Sequence, residues 1–357
     1  MFQHLQILEL SSVLAGPSVG LFFAELGAKV IKVENTRTGG DITRKWKLAS
    51  EDKDENQLSA YYCSANWNKE VLFADFTKGE DRQRIYDLVK TSDIVIANFK
   101  HGADKKLGMD YETLKSFNSQ LIYAQLTAFG AESKRTAFDV VLQAESGFMY
   151  MNGSPDGRPV KMPVALIDLL AAHQLKEGIL VALLQRQETQ KGALVCASLM
   201  ESAIAALANQ ATNWLMGGHI PQRMGTLHPN IAPYGEMFET KDGKLLVLAI
   251  GNDKQFKNLC RVLQLKEVAK DTCFEDNAGR VKHRKTLQKL LQEPIAVHQR
   301  EDLLLQLEKN EVPAGAVRNM QEVFELPIAQ EMILKETMPN GQLTQRVKTV
   351  TFEVLGD

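Results

Sequence analysis

Asp168 stands apart from the other charges of this chain. It lies in PVALIDLLAAHQ (residues 163–174), the only charge in an apolar stretch, at the start of a helix face built from Leu169, Leu170, Leu175, Ile179, Leu183 and Leu184. An aspartate in that place has two readings. It is a favoured helix N-cap, its carboxylate accepting the first free N–H groups. It is also a potential covalent nucleophile: the helix dipole and the amides hold the carboxylate ionised, and an ionised, partly desolvated carboxylate facing a cleft can attack an electrophilic carbon. The second reading needs a cleft and a ligand, and so turns on the elements that would supply them.

The clearest such element is ILELSSVLAGPSVGLFFAELGAKVIKVE (residues 7–34). Ile7, Leu8 and Leu10 form a first apolar strand. Gly16 allows a close turn, and Pro17 fits the first turn of a helix, where its missing N–H costs nothing. Leu21, Phe22 and Leu26 give that helix a face to bury, and Gly27 stops it. Val30, Ile31 and Val33 make a second strand closed by Glu34. A strand–helix–strand unit with a bare helix N-terminus is a ready site for an anionic ligand.

The alternation continues. A polar stretch from Thr36 to Asn56 reads as an excursion over the surface. VLFADF (71–76), DIVIANF (93–99), LIYAQLTAFG (121–130) and GALVCASL (192–199) read as strands, with helices over 80–92, 111–117, 169–187 and a long one from Glu201 to Gly218. Such a succession predicts an α/β fold with a doubly wound parallel sheet. After Gly218 the texture changes: two strands joined by a Lys-Asp-Gly turn, then short helices, predict a smaller α+β domain over about 225–315. The last segment, Pro313 to Asp357, reads as a helix and a final strand-like run, VKTVTFEV.

Bulk properties narrow the function classes. At 357 residues, with 44% hydrophobic and 24% charged residues, the chain can bury a large core, and two domains are expected. A net charge of -2 gives no overall pull toward nucleic acid or an anionic membrane. No apolar run is long enough to span a bilayer, and MFQHLQILEL lacks the pattern of a signal peptide. Cys63, Cys196, Cys260 and Cys273 are far apart and are expected as reduced, mostly buried thiols in a reducing, cytoplasmic compartment. The seven histidines show no HxxxH pair, so no metal is expected.

The order of several segments resembles the class III CoA-transferases, which include formyl-CoA and carnitine CoA-transferases. AGP followed by FFAELGAKVIKVE and GGDITR (39–44) is similar to that family's N-terminus. NFKHGADKKLGMDYETLKSFNSQLIYAQLTAFG (98–130), FDVVLQAESGFMYMNGSPDGRPVKMPVALID (138–168) and HPNIAPYGEMFETKDG (228–243) resemble its later segments. The likeness is clear over about residues 5–260 and looser beyond. It implies a Rossmann-like large domain over 1–218, completed by about 316–357, and an interlocked homodimer. It also implies coenzyme A and acyl-CoA as substrates with no bound prosthetic group, a free carboxylic acid as acceptor, and Asp168 as the nucleophile.

The resemblance further implies which residues meet coenzyme A: Leu14 and Ala15 in the first turn, Asn35 after the second strand, Ala74, Asp75 and Phe76 at the third strand's end, Asn98, Phe99 and Lys100 in the NF turn, Lys106 in place of a frequent arginine, and Thr127, Ala128, Phe129 and Gly130 in the loop near the pantetheine. A lysine at 106 supplies charge without the two-pronged fork of arginine. Lys105 is a further candidate, with Arg44 and Lys134 behind it; for Lys100, Lys105 and Lys106 the plain alternative is a solvated basic face. Met149, Met151, Trp214 and Met216 are candidate pocket walls. Asp139 either orients the active-site segment or caps it. Glu145 reads as a structural acid in a buried stretch, and His228 as a loop residue. Glu34 could bind a ribose, although an acid at a strand end is usually solvated.

Two rival enzymes are disfavoured. SSVLAGPSVG is not G-x-G-x-x-G, and Pro17 follows the glycine that would approach a pyrophosphate, which argues against an NAD-dependent dehydrogenase. The related α-methylacyl-CoA racemases carry a His-Asp pair where this chain has Phe138-Asp139, and phenylalanine cannot take a proton. A CoA-binding protein without turnover is the non-enzymatic alternative. The family's glycine-rich loop has no clear counterpart here beyond GTLHPN (225–230) and Gly251.

Overall fold

Six apolar runs pair side by side, all parallel, in the order β3-β2-β1-β4-β5-β6. In chain order the first unit holds β1 (Gln6–Leu10), α1 (Ala15–Glu25), β2 (Lys29–Asn35), α2 (Ala60–Ala65), β3 (Glu70–Ala74), α3 (Gly79–Val89), β4 (Ile94–Ala97), α4 (Ala103–Leu107), α5 (Tyr111–Lys115) and β5 (Ile122–Thr127). Then come α6 (Asp139–Glu145), α7 (Phe148–Met151), α8 (Leu166–Thr189), β6 (Ala193–Ser198), α9 (Leu199–Ala205) and α10 (Ala208–Gly217). The computed structural model describes residues 1–52, 54 and 56–355; Lys53 and Glu55 of the polar stretch, and Gly356 and Asp357 of the last segment, lie outside the described residues.

The inner strands β1, β2, β4 and β5, buried on both faces, explain the unbroken apolar runs, while the edge strands β3 and β6 are partly exposed. On one face α1 and α8 pack over Ile7, Val30, Ile94, Ile96 and Ile122, through Val19, Phe22 and Phe23 of α1 and Ala171, Leu175 and Ile179 of α8. On the other, Ile85 and Val89 of α3 and Leu114 of α5 cover Leu8, Leu10, Ile31, Val33 and Val95. Each such fully buried side chain contributes roughly 2 kcal/mol. The strand order changes direction between β1 and β4, and an open sheet of this kind binds ligands outside the carboxyl ends of the strands at that switch.

A second compact unit comprises Tyr150–Val160 and Pro221–Gln330. There β7 (Tyr234–Glu239), β8 (Leu245–Ala249) and β9 (Ala314–Ala316) form an antiparallel sheet. Helices α11 (Asp253–Val262), α12 (Asn277–Lys282), α13 (Arg284–Ile295) and α14 (Arg300–Lys309) accompany it, and Phe238, Leu248, Phe256, Leu259, Leu291 and Leu303 form its core. Two short helices, α15 (Met320–Phe324) and α16 (Pro327–Glu331), follow. The chain then returns to the first unit as a hairpin of β10 (Ile333–Thr337) and β11 (Leu343–Val347). Among the described residues no helix is long and apolar enough to cross a membrane.

Several expectations need correction. The helix expected from Glu201 to Gly218 is two helices, broken before Ala208, whose φ is 48°. The expected strand VKTVTFEV (347–354) does not form beyond its first residue: the last strand is β11, Leu343–Val347, which lies before it, and residues 348 to 355 take no strand partner. Most described residues of the polar stretch after β2 are exposed, as expected of a surface excursion, but Gly40, Asp41 and Thr43 within it are buried. Of the four cysteines only Cys260 is buried, while Cys196 and Cys273 are exposed.

Candidate functional site

The switch point holds a cleft of about 430 Å³ within the first unit. Ser12 to Ala15 after β1, Asn98 to His101 after β4 and Gln125 to Ala128 at the end of β5 line it. Asp168, from the first turn of α8, lies in the same lining with Phe138 and Val141. Of the positions expected from the resemblance, Leu14, Ala15, Asn98, Phe99, Lys100, Thr127, Ala128 and Gly130 therefore share one cleft with Asp168.

Asp168 is not the N-cap of its helix. The helix begins at Leu166, with Ala165 as its N-cap and no capping side chain of its own. The capping acceptor comes from α6: the Asp139 carboxylate accepts the N–H of Ile167 at 2.7 Å and the Gln143 Nε2–H at 2.5 Å. Gln143 Oε1 in turn accepts the N–H of Met162 at 2.8 Å, which ties the approach segment to the same group. Asp139 thus does the local structural work, and no group among the described residues donates a hydrogen bond to Asp168.

That arrangement reverses the expected electrostatics. Asp168 is 8% exposed. Burial, with the negative charge of Asp139 as the second cause, pushes its pKa up to about 7. The helix terminus does not hold it in the ordinary carboxylate range. Near neutral pH the group is divided between acid and carboxylate, and the carboxylate is poorly solvated, a state suited to nucleophilic attack.

A row of aromatic rings, not anticipated from the sequence, stands beside it. Phe138 is 6.3 Å from Trp46, and Trp46 packs edge-on against Tyr61 at 5.1 Å between centroids. Burial, and then the negative charges of Asp168, Asp139 and Asp41, raise the Tyr61 pKa. Only the tertiary fold brings residues 46, 61 and 138 together; no local spacing announces them.

The other expected ligand residues divide by place. Asn98 does not offer its amide to the cleft: Oδ1 accepts the N–H of Ser12 at 3.1 Å and Nδ2 donates to Ser12 O at 2.9 Å. Thr127 Oγ1 accepts the N–H of Gly130, whose φ is 97°, shaping the strand-end loop. Phe129 stands beneath the Arg135 guanidinium at 4.0 Å, and Arg135, a cation of the lining, pairs with Glu145 at 2.6 Å. Glu145 is exposed, not buried as expected. Ala74 and Phe76 are core residues, Phe76 packing edge-on to Phe99. The Asp75 carboxylate is committed to Thr77, and Asn35 Oδ1 accepts the N–H of Arg37. None of Asn35, Ala74, Asp75, Phe76, Lys106 and Phe129 lines the cleft; Lys105, Lys106 and Lys134 are exposed.

Glu34 is neither solvated nor open to a ribose. It is 3% exposed and accepts from Arg44 Nε at 2.6 Å, Tyr62 Oη at 2.7 Å and the Asp41 N–H at 2.9 Å. Arg44, a candidate phosphate ligand, is consumed by this pair. Trp214 and Met216 are exposed on α10, and Met149 and Met151 are half-buried on α7. In the second unit His228 packs edge-on against Tyr234, and its Nδ1 accepts the N–H of Asn230, as a loop residue does.

Comparison with known proteins bears on this geometry. The family model described as CoA-transferase family III matches residues 2–355. The chain is 38% identical to the succinate–glutarate CoA-transferase of Agrobacterium fabrum over 91% of its own length and 82% of that protein's. It is 34% identical to the succinyl-CoA:glutarate CoA-transferase of Homo sapiens over 91% and 73% of the two chains. It is also similar to the crystal structure of a CAIB/BAIF family protein from Brucella suis, at 39% identity and a TM-score of 0.87, covering 98% of this chain and 91% of that one.

Proposed function

Since the chain belongs to CoA-transferase family III, we propose that it exchanges coenzyme A between two short dicarboxylic acids through covalent attachment to Asp168. The observation that carries this reading is a buried carboxylate with no hydrogen-bond donor among the described residues, set in the lining of the switch-point cleft. Relatives named for succinate, glutarate and mesaconate support the choice of acid class.

The chemistry proceeds in mirrored steps. The Asp168 carboxylate attacks the thioester carbonyl of the donor acyl-CoA, the C–S bond breaks, and the CoA thiolate leaves behind an acyl–aspartyl anhydride. The thiolate attacks the aspartyl carbonyl, expelling the donor acid as its carboxylate and leaving an aspartyl–CoA thioester. The acceptor carboxylate displaces the thiolate to form a second anhydride. The thiolate then attacks the acceptor's acyl carbon, releasing the new acyl-CoA and restoring Asp168. Splitting one exchange into these steps lowers each barrier, and no net proton is moved. Phe138 in the lining has no proton to exchange, which favours transfer over racemisation at the α-carbon.

Succinyl-CoA with labelled glutarate, assayed beside Asp168→Ala, tests the reading. We expect the variant to lose at least a thousandfold in exchange while still binding coenzyme A. Hydroxylamine or borohydride trapping should mark the peptide containing residue 168. Turnover by the variant at the native rate, or an unmarked peptide, overturns it. We also propose that the enzyme is a homodimer whose two chains interlock, as the family resemblance implies; the apolar Trp214, Leu215 and Met216 standing exposed on α10 support a partner surface. Light scattering should give twice the 39.8 kDa of one chain; a mass of a single chain removes this part.

A further inference from the structure

Directly under the cleft wall lies a buried network of four charges. Glu9 on β1 and Lys32 on β2 face each other in register, with Lys32 Nζ 2.9 Å from Glu9 Oε1. Lys69 Nζ reaches the other Glu9 oxygen at 2.7 Å and also donates to Pro17 O. Lys32 Nζ is 3.2 Å from Asp41 Oδ2. All four side chains are essentially inaccessible, and the two acids balance the two lysines. Burying charge is costly unless every partner is present, so the network calls for an account beyond stability.

Its upper end grips the turn that lines the cleft. Lys32 Nζ donates to Ser11 O at 2.8 Å. The Asn98 amide brackets Ser12 on both its N–H and its carbonyl. The Asp41 carboxylate accepts the N–H of Val13 at 3.1 Å, while Thr43 donates to Asp41 from its N–H and its hydroxyl, fixing that carboxylate's orientation. Val13 has a φ of 74°, a left-handed backbone that a β-branched residue adopts only when its surroundings impose it. Immediately after it, Leu14 and Ala15 enter the cleft wall and α1 begins without a capping side chain.

Electrostatics favour the charged forms of the Lys32–Asp41 pair at the cleft end, while burial pulls the pKa of Lys69 at the far end down to about 8. Burial works against the Asp41 carboxylate, but Lys32 and the Thr43 donors outweigh it and hold its pKa below the usual range. Burial likewise opposes the Lys32 ammonium, and Glu9 and Asp41 outweigh that, holding its pKa above the usual value.

Resting on the transferase reading, we propose that Asp41 is a positioning residue for acyl-CoA: with Lys32 and Asn98 it forces the Ser11–Leu14 turn into the left-handed conformation that shapes the coenzyme's cleft. The residue touches no reacting atom. It sets how tightly the coenzyme binds, not how fast Asp168 reacts.

The test compares Asp41→Asn, the double variant Asp41→Asn/Val13→Gly, and Val13→Pro in the full chain. Calorimetry gives the Kd for free coenzyme A, and exchange kinetics separate KM from kcat. Asp41→Asn should raise KM for acyl-CoA and Kd for coenzyme A about tenfold, with kcat within about twofold, since one backbone constraint is lost. Adding Val13→Gly should recover most of that, because glycine occupies the left-handed region without strain. Val13→Pro leaves the four charges paired but cannot reach a positive φ and has no N–H for Asp41; it should weaken coenzyme binding at least as much with the fold intact by circular dichroism. The inference falls if folded Asp41→Asn binds as wild type does, if glycine brings no recovery, or, should Asp41→Asn not fold, if Val13→Pro binds normally. A wild-type chain that binds no coenzyme A would instead sink the transferase reading itself.

Discussion

Above pH 8 the Asp168 carboxylate is charged, 8% exposed and next to Asp139, and nothing among the described residues donates to it. Its unfolded counterpart, free in water, titrates near 4. Between about pH 4 and pH 7 the native state therefore binds the extra proton, so stability falls as pH rises through that window and levels off above it. The group's contribution is thus opposite in sign to that of a paired aspartate. Asp168→Asn should gain up to about 4 kcal/mol over wild type at pH 8, and the gain should vanish toward pH 4. Urea unfolding at the two pH values checks it. Catalysis should show the reverse face of the same ionisation, with kcat/KM climbing to a plateau through an acid limb near 7. A limb near 4, or an asparagine variant no more stable at pH 8, would show that the free enzyme holds this carboxylate in an ordinary environment. The proton-binding group was legible in the sequence as an isolated acid; the sign of its shift was not, because it comes from burial in the folded cleft and then from Asp139, 29 residues away, which caps the helix in its place.

At the scale of elements, legibility followed burial. The run IVIA of β4 is buried at all four positions, and such a strand reads as continuously apolar whatever surrounds it. The parallel sheet, the smaller antiparallel unit and the turn after β1 were accessible for that reason. What misled was charge inside strands and loops. Glu34 reads as a solvated strand end, yet it is buried, as are Glu9 and Lys32, because partners from other elements neutralise all three. Gly20 offers the one local sign: a Cβ there would stand 2.0 Å from Glu9 Oε2, so α1 can lie on this strand only if that position has no side chain. A glycine in mid-helix costs about 1 kcal/mol in propensity, a small loss beside displacing a carboxylate shared by two buried lysines. The NF turn was recognisable as a motif, but its asparagine serves the neighbouring backbone. The helix break before Ala208 has no proline or glycine to mark it.

For the whole molecule, the notable feature of the first unit is that its chain is discontinuous: besides the short excursion over Tyr150–Val160, it leaves at Ile220 and returns at Glu331. The returning segment is held by polar contacts to the N-terminal third. Leu58 and Gln342 exchange hydrogen bonds, with the Leu58 N–H donating at 2.8 Å, and Asn68 N–H donates to Glu336. The anchor is Glu25 at the end of α1. It pairs with Arg346, both side chains 4% exposed, and accepts the N–H groups of Thr349 and Val350. Arg346 also lies 5.5 Å from the Trp67 ring, and Phe352 packs against Phe22 of α1. Removing the acid alone strands a buried guanidinium and two amides, whereas removing both charges strands only the amides. Glu25→Ala should therefore lose about 3–5 kcal/mol, and Glu25→Ala/Arg346→Met distinctly less, despite two changes instead of one. Urea unfolding gives the energies, and limited proteolysis should cut the segment after residue 331 first in the single variant. Equal losses in the two variants would mean the pair adds nothing to the closure, which would then rest on Phe352 and the hairpin's packing against α2.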